Sequence, residues 1–262
     1  MITENRYNIF EPEEFFSDWE ELEIYQVQAR EPVPIQLYDE ESVSQFKKGC
    51  KDSLKTILGI LTRENHRLLQ VLPPCWSLII NDFEQRFPNF AEVAEILRDY
   101  FTLSERKGHA VSFPPLLLTG PAGVGKTEAA RWLSGQLKLE YTLIDMATAQ
   151  SGSQLAGSER HWANSRPGKI FEKLAKGKFA NSVVMLDEID KTSCDQALGA
   201  LYTLLEPKSA ERFTDLCIAD FSVDASFINW IATANNRSNI PAPILSRFEE
   251  VQIEKPDNFQ SV

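Results

Sequence analysis

A chain of 262 residues, 43% hydrophobic and 25% charged, has the composition of a soluble globular protein and can bury a sizeable core as one large domain or two modest ones. It holds no apolar run long enough to span a bilayer, and its opening MITENRYNIFEPEE lacks the positive-then-apolar order of a secretory signal. Four cysteines without a CxxC pair and three scattered histidines argue against a local zinc site and fit the reduced thiols of a cytoplasmic protein.

The net charge of −11 is concentrated at the start. Residues 1–45 carry twelve acids against Arg6 and Arg30, so the remainder is close to neutral. Neither part is a surface built for sequence-independent binding of phosphate backbones. Residues 1–41 therefore read as an acidic arm. Within it Phe15, Phe16, Trp19 and Leu22 stand at helical spacing, either packing on their own domain or docking on a partner. Pro32 and Pro34 punctuate the chain after them.

Residues 42–108 are expected to form a helical N-terminal region. Phe46, Cys50, Leu54, Ile57, Leu58 and Leu61 recur at three- and four-residue steps, and CWSLIINDFEQRF after Pro73-Pro74 continues the helical pattern. Asn89 is placed to cap the next helix, with Val93, Ile96, Leu97, Tyr100 and Phe101 as its apolar stripe. From 109 onward, PPLLLTG, YTLIDM, SVVMLDE, SFINWIATAN and EEVQIEK read as short buried strands. Helical stretches at 126–138, 168–177 and 195–206 separate most of them. That alternation predicts an α/β fold with a five-stranded parallel sheet sandwiched by helices.

Four motifs in this region carry chemistry. GPAGVGKT at 120–127 follows the strand run at 116–118 and opens a helix, the context of a phosphate-binding loop. Gly120, Gly123 and Gly125, with Pro121, Ala122 and Val124 between them, let backbone amides curl around phosphates. Lys126 would reach the outer phosphates, Thr127 would ligate Mg²⁺, and the helix start that includes Glu128 would add its dipole. VVMLDE at 183–188 ends a buried strand in two acids: Asp187 would hold the metal through its water shell, and Glu188 would serve as general base. INWIATANN ends a further strand in an uncharged amide that can orient the lytic water, with Asn235 favoured over Asn236. PAPILSRFE places Arg247 twelve residues after Asn235, as a cation for a neighbour's γ-phosphate.

In this order GPAGVGKT, VVMLDEIDK, ATANN and IPAPILSRFE resemble the AAA+ ATPases, specifically the ATPase module of Lon-type proteases. PGKIFEKL, ALYTLLEP and RFTDLCI extend the likeness over about 114–253. The resemblance implies a P-loop NTPase fold over 109–262. It also implies ATP and Mg²⁺ as cofactors, Lys126 and Thr127 as the Walker A pair, and Asp187 and Glu188 as the Walker B acids. Asn235 takes the sensor-1 role and Arg247 that of the trans-acting arginine finger. Family members form rings, commonly hexamers, and draw polymers through a central pore.

Two departures stand out. Where the family presents an aromatic–aliphatic–glycine pore loop, this chain has Trp162-Ala163-Asn164, so Trp162 is either the gripping aromatic or an anchor within the subunit. Lon-like modules continue into a helical lid and a Ser/Lys peptidase domain, whereas this sequence ends at Val262; a longer natural chain is the expectation, and no peptidase residues are assigned. The leading function is ATP-driven remodelling of a protein substrate by a homo-oligomeric ring, without a membrane. The alternatives are a nucleic-acid motor that tracks a strand with Arg160, His161, Trp162 and Arg166, and an ATP-binding scaffold with little turnover.

Overall fold

The computed structural model describes residues 33–38, 40–41, 43, 66–107, 110–148, 151–159, 165–192 and 194–255. The acidic arm up to residue 32, the whole apolar stripe from Phe46 to Leu61, and Arg160, His161 and Trp162 lie outside the described residues. The chain enters through β1 (Val33–Gln36), which pairs antiparallel with β2 (His66–Leu69), followed by helices α1 (Trp76–Arg86) and α2 (Ala91–Lys107). Then come β3 (Leu116–Thr119), α3 (Lys126–Gln136), β4 (Tyr141–Asp145), α4 (Ser151–Ala156), α5 (Lys169–Lys176) and β5 (Val183–Asp187). The last part runs α6 (Asp195–Leu204), α7 (Pro207–Ala210), the hairpin β6 (Phe213–Asp215) and β7 (Ile218–Val223), β8 (Asn229–Ala234), α8 (Ala242–Leu245) and β9 (Glu249–Gln252).

Five of these strands form one parallel sheet in the order β4-β5-β8-β3-β9. The expected α/β architecture is therefore present, with all five strands where the apolar runs place them. Such a sheet is covered on both faces, so its inner strands are apolar without interruption. Every residue of β3 and β8 is buried. Alternate side chains then serve opposite cores. Leu116, Leu118, Val183, Met185 and Ile231 join α1, α2 and α3 on one face, while Leu117, Val184, Leu186, Trp230 and Ala232 join α4, α5 and α6 on the other. The N-terminal helices are thus part of the cover of the sheet. Phe83 on α1 packs its ring 6.0 Å from that of Trp132 on α3.

Asn89 does not cap α2. It lies in the 3₁₀ turn Pro88–Phe90, and its side-chain N–H groups donate to the Val124 carbonyl (3.2 Å) and the Glu254 carbonyl (3.0 Å). An N-cap needs an acceptor aimed at the helix, and here the amide is turned with its donors toward the other side. The β1–β2 pair was not anticipated either. Arg67 of β2 is buried and donates to the Leu174 (2.7 Å) and Ala175 (2.5 Å) carbonyls, satisfying two acceptors in the last turn of α5.

The hairpin β6–β7 supports the neck of the segment 157–168. Ser158 donates its N–H to the Arg166 carbonyl (3.0 Å), and the Arg166 N–H returns a bond to the Ser158 hydroxyl (2.8 Å). Beneath this neck the Asp215 carboxylate accepts N–H bonds from Gly168 (2.7 Å) and Cys217 (2.8 Å). A Cβ on Gly157, whose φ is +78°, would lie 2.3 Å from Asp215 Oδ1, so the neck closes only around a glycine.

Asp215 is fully buried. Burial pushes its carboxyl up from the ordinary 3.8 to about 6, against the pull of backbone N–H bonds from Gly168, Cys217 and Ile218. The folded state therefore binds this proton more tightly than the unfolded chain, and the stability contributed by the group falls as pH rises through that window. Asp215→Asn cannot ionise. The stability of the wild type relative to this variant, read from urea midpoints, should drop by on the order of 2–3 kcal/mol between about pH 4 and pH 6.5. A pH-independent difference would contradict the assignment.

Candidate functional site

The glycine loop leaves β3 with its direction already set. The Gly120 N–H donates to the Ala234 carbonyl (3.1 Å), extending the β3–β8 ladder by one residue. Gly120 has φ +153°, and a Cβ there would stand 2.2 Å from the Ile253 carbonyl oxygen, a contact no side chain can make. Gly123 and Gly125 follow with φ of +81° and +94°, and Gly125 is the N-cap of α3. Pro121, Ala122 and Gly123 are exposed, Val124 is buried, Thr127 is half-buried and Glu128 is exposed. The first turn of α3 leaves its N–H groups without carbonyl partners inside the helix, the property that makes a helix start receptive to anions.

Lys126 turns back into this loop. Its Nζ donates to the carbonyls of Gly120 (2.6 Å) and Pro121 (2.9 Å) and lies 3.4 Å from Asn235 Oδ1. Burial lowers its pKa, and the nearby Asp187, Asp190 and Glu188 carboxylates oppose that shift. Asn235, one residue past β8, is thereby brought to the phosphate loop. Asn236 is engaged elsewhere: its side chain accepts the Ser238 N–H (3.0 Å) and caps a short 3₁₀ turn.

The two acids end β5, beside β8. Asp187 Oδ1 accepts the Thr233 hydroxyl at 2.5 Å, and the Glu188 N–H donates to the same hydroxyl oxygen at 2.9 Å. Glu188 holds φ +55°, a left-handed conformation uncommon for any residue with a side chain. Its carboxylate pairs with Lys191 Nζ at 2.5 Å on the surface, and that hydrogen bond raises the lysine pKa. Asp190, 7% exposed, accepts the Asn236 N–H at 3.1 Å, leaving its other oxygen buried and without a partner among the described residues.

Lys126, Asp187, Glu188 and Asn235 thus gather at the carboxyl ends of β3, β5 and β8, the edge where an open α/β sheet binds ligands. Thr127 opens α3 at the same edge. Arg247 is not part of this group. Its Nη1 donates to the Pro243 carbonyl (2.8 Å), its guanidinium lies 5.5 Å from the centre of the Tyr202 ring, and its Nε is 4.0 Å from Glu206. Of the residues suggested for strand tracking, Arg166 alone is among those described, where its main chain closes the loop neck. Thr233, Asp190 and Lys191 escaped the sequence analysis. The signal for Thr233 was a lone hydroxyl in an apolar strand.

The donor set suits a nucleotide with its metal. Thr127 and Asp187 are hard oxygen ligands of the kind Mg²⁺ accepts together with phosphate oxygens, and the loop provides a cradle that side chains would fill. Among the described residues no helix is long and apolar enough to cross a membrane, and Cys75, Cys194 and Cys217 are free thiols.

The loop geometry makes a prediction that needs no ligand. Gly120→Ala should lose roughly 2–4 kcal/mol of folding stability in urea titrations, because its Cβ meets a backbone carbonyl. Gly123→Ala, with open space around its Cβ, should lose only about 1–2 kcal/mol from its positive φ. Equal losses at the two positions would refute the packing argument.

Comparison with known proteins places the chain in a family. A model of the ATPase family associated with various cellular activities (AAA) matches residues 116–256. The Lon protease of Bacillus thuringiensis (strain Al Hakam) is 33% identical over 165 residues, covering 62% of this chain and 20% of that protein. The Lon protease of Metamycoplasma arthritidis (strain 158L3-1) is 35% identical over 150 residues, covering 56% of this chain and 18% of its own length. The chain spans about a fifth of the length of the curated relatives it matches. In fold it is similar to a chain of the closed-state cryo-EM reconstruction of Hsp104 with ATPγS and FITC casein. The TM-score is 0.52 at 18% identity, over 67% of this chain and 34% of that one. Because the family model runs from the start of β3 past the end of β9 and takes in more than half of the sequence, the chain belongs to the ATPase family associated with various cellular activities (AAA).

Proposed function

We propose that this chain is an ATP-hydrolysing subunit of a Lon-like, ring-forming motor that remodels or translocates a protein substrate in the cytoplasm. The observation that carries the reading is the convergence at one sheet edge. Lys126 Nζ lies 3.4 Å from Asn235 Oδ1, while Thr233 joins Asp187 and Glu188 on the adjacent strand. The free thiols and the relatives named Lon protease support the location and the class of substrate.

On this reading the phosphates of ATP settle against the N–H groups of the loop and the start of α3, and Lys126 exchanges loop carbonyls for phosphate oxygens. Thr127 and Asp187 would hold Mg²⁺, which when bound offsets charge on the phosphate oxygens. Glu188 leaves Lys191, accepts a proton from the attacking water and so directs the water at the γ-phosphorus, while Asn235 orients that water without adding charge. Arg247 acts on the next subunit's nucleotide. Its recorded contacts, with Pro243, Tyr202 and Glu206, include none to the phosphate loop of its own chain. Ring closure would then be required for turnover, and the commonly hexameric family suggests six subunits.

Glu188→Gln should lower turnover by about 10²–10⁴-fold while ATP binding is kept. Arg247→Ala should lose a comparable or larger factor, about 10³–10⁵-fold, with ATP binding likewise intact. Unchanged hydrolysis in Glu188→Gln would falsify the catalytic assignment. In the same assay an unfolded polypeptide should stimulate the wild type. Stimulation by single-stranded DNA instead, steeply lost with added salt, would move the protein to the nucleic-acid motors, and background turnover in the assembled state would make it a scaffold.

A further inference from the structure

Thr233 is 2% exposed, one residue from the end of a strand that is otherwise apolar apart from Asn229 at its start. A buried hydroxyl in such a place requires partners, and this one has two on the neighbouring strand. A threonine hydroxyl offers one hydrogen and accepts through its lone pairs. The Glu188 N–H can only donate, so the hydroxyl oxygen receives it at 2.9 Å. The single hydroxyl hydrogen is then directed to Asp187 Oδ1 at 2.5 Å. The direction of both bonds is fixed by what each partner can give.

From this we infer that Thr233 is a positioning residue for both acids of the proposed ATPase site, an inference that rests on the roles given above to Asp187 and Glu188. The bond to Oδ1 holds the Asp187 carboxylate in one rotamer, and Oδ2 is the oxygen that would serve a metal's water shell. The bond from the Glu188 N–H holds a residue whose φ of +55° is strained for a residue with a side chain and which would otherwise relax into an extended turn. Such relaxation would swing the general base away from the edge of the sheet. Thr233 works through the two acids, by linking the end of β8 to the Asp187 carboxylate and the Glu188 backbone at the end of β5. Register explains why this position does so: Leu186 stands opposite Ala232, so the next residues along, Asp187 and Thr233, are neighbours across the parallel pair.

The test uses the full chain under assembling conditions. Thr233→Val keeps the shape and removes both bonds. It should lower kcat by about 10–100-fold and raise the Mg²⁺ concentration for half-maximal turnover several-fold, the usual effect of removing a group that orients a metal's ligands. Binding of a fluorescent ATP analogue in EDTA should stay within about twofold, because Lys126 and the loop are untouched. Thr233→Ser restores the hydroxyl and should return both kinetic readouts to within about threefold of wild type. Should the valine protein fail to fold, Thr233→Ala carries the same expectation. Normal turnover and Mg²⁺ dependence in the valine variant overturn the inference, as does a serine variant as impaired as valine, since the loss would then follow the methyl group. Asp187→Asn and Glu188→Gln are run alongside. If they hydrolyse ATP normally, the reading of the acids fails and takes the inference with it; if they are inactive while Thr233→Val is normal, the inference alone falls.

Discussion

All five strands of the main sheet point the same way, and this parallel register is the constraint from which the site follows. Side chains placed just beyond the strands emerge together at one edge, however far apart they lie in sequence. β3 sits between β8 and β9, so the loop that leaves it is held from both sides: the Gly120 N–H reaches Ala234 while the Ile253 N–H reaches Thr119 at 2.6 Å. The close approach of Gly120 to Ile253 is a direct product of that crowding. With the backbone so confined, Lys126, Asn235 and the two acids are held together at one edge of the sheet, although Lys126 and Glu188 each have a present partner to give up before they could serve a ligand.

Charge is distributed to match. Asp187, Glu188 and Asp190 lie close together, and like charges so placed would repel without cations among them. Lys126 answers them from inside the loop and Lys191 from the surface, where its pair with Glu188 contributes little to stability because water screens it. That weakness suits the base role proposed for Glu188, in which it changes partners. Arg247, by contrast, has its guanidinium engaged by a carbonyl, an aromatic face and a carboxylate, which narrows the directions that head group can take.

Much of this was legible before any coordinates. Buried strands announced themselves as unbroken apolar runs, and the glycine loop has a spacing with few other uses. What escaped shares a physical cause. Thr233, Asn89 and Arg67 act through hydrogen bonds to residues far along the chain, and no local pattern encodes a partner at that distance. Asn89 has the composition of a cap, yet its donors are drawn to two carbonyls that only the folded sheet brings near. The hairpin of β6 and β7 is short and carries Asp215 and Asp220, which hide its alternation, and Pro34 made β1 read as punctuation when it is a strand in a two-stranded pair. The preference for Asn235 over Asn236 came from strand-end logic. In the structure the amide of Asn236 is committed to its own turn.

Asn89 has a mechanical meaning as well. One amide group grips the chain at two points, Val124 within the phosphate loop and Glu254 just beyond the last strand. Any displacement of the backbone leaving β9 must either break that double hold or drag the loop along with it. A tether so short transmits force in both directions, so strain applied to the backbone after β9 is felt in the glycine loop, and a change in the loop tugs on that backbone.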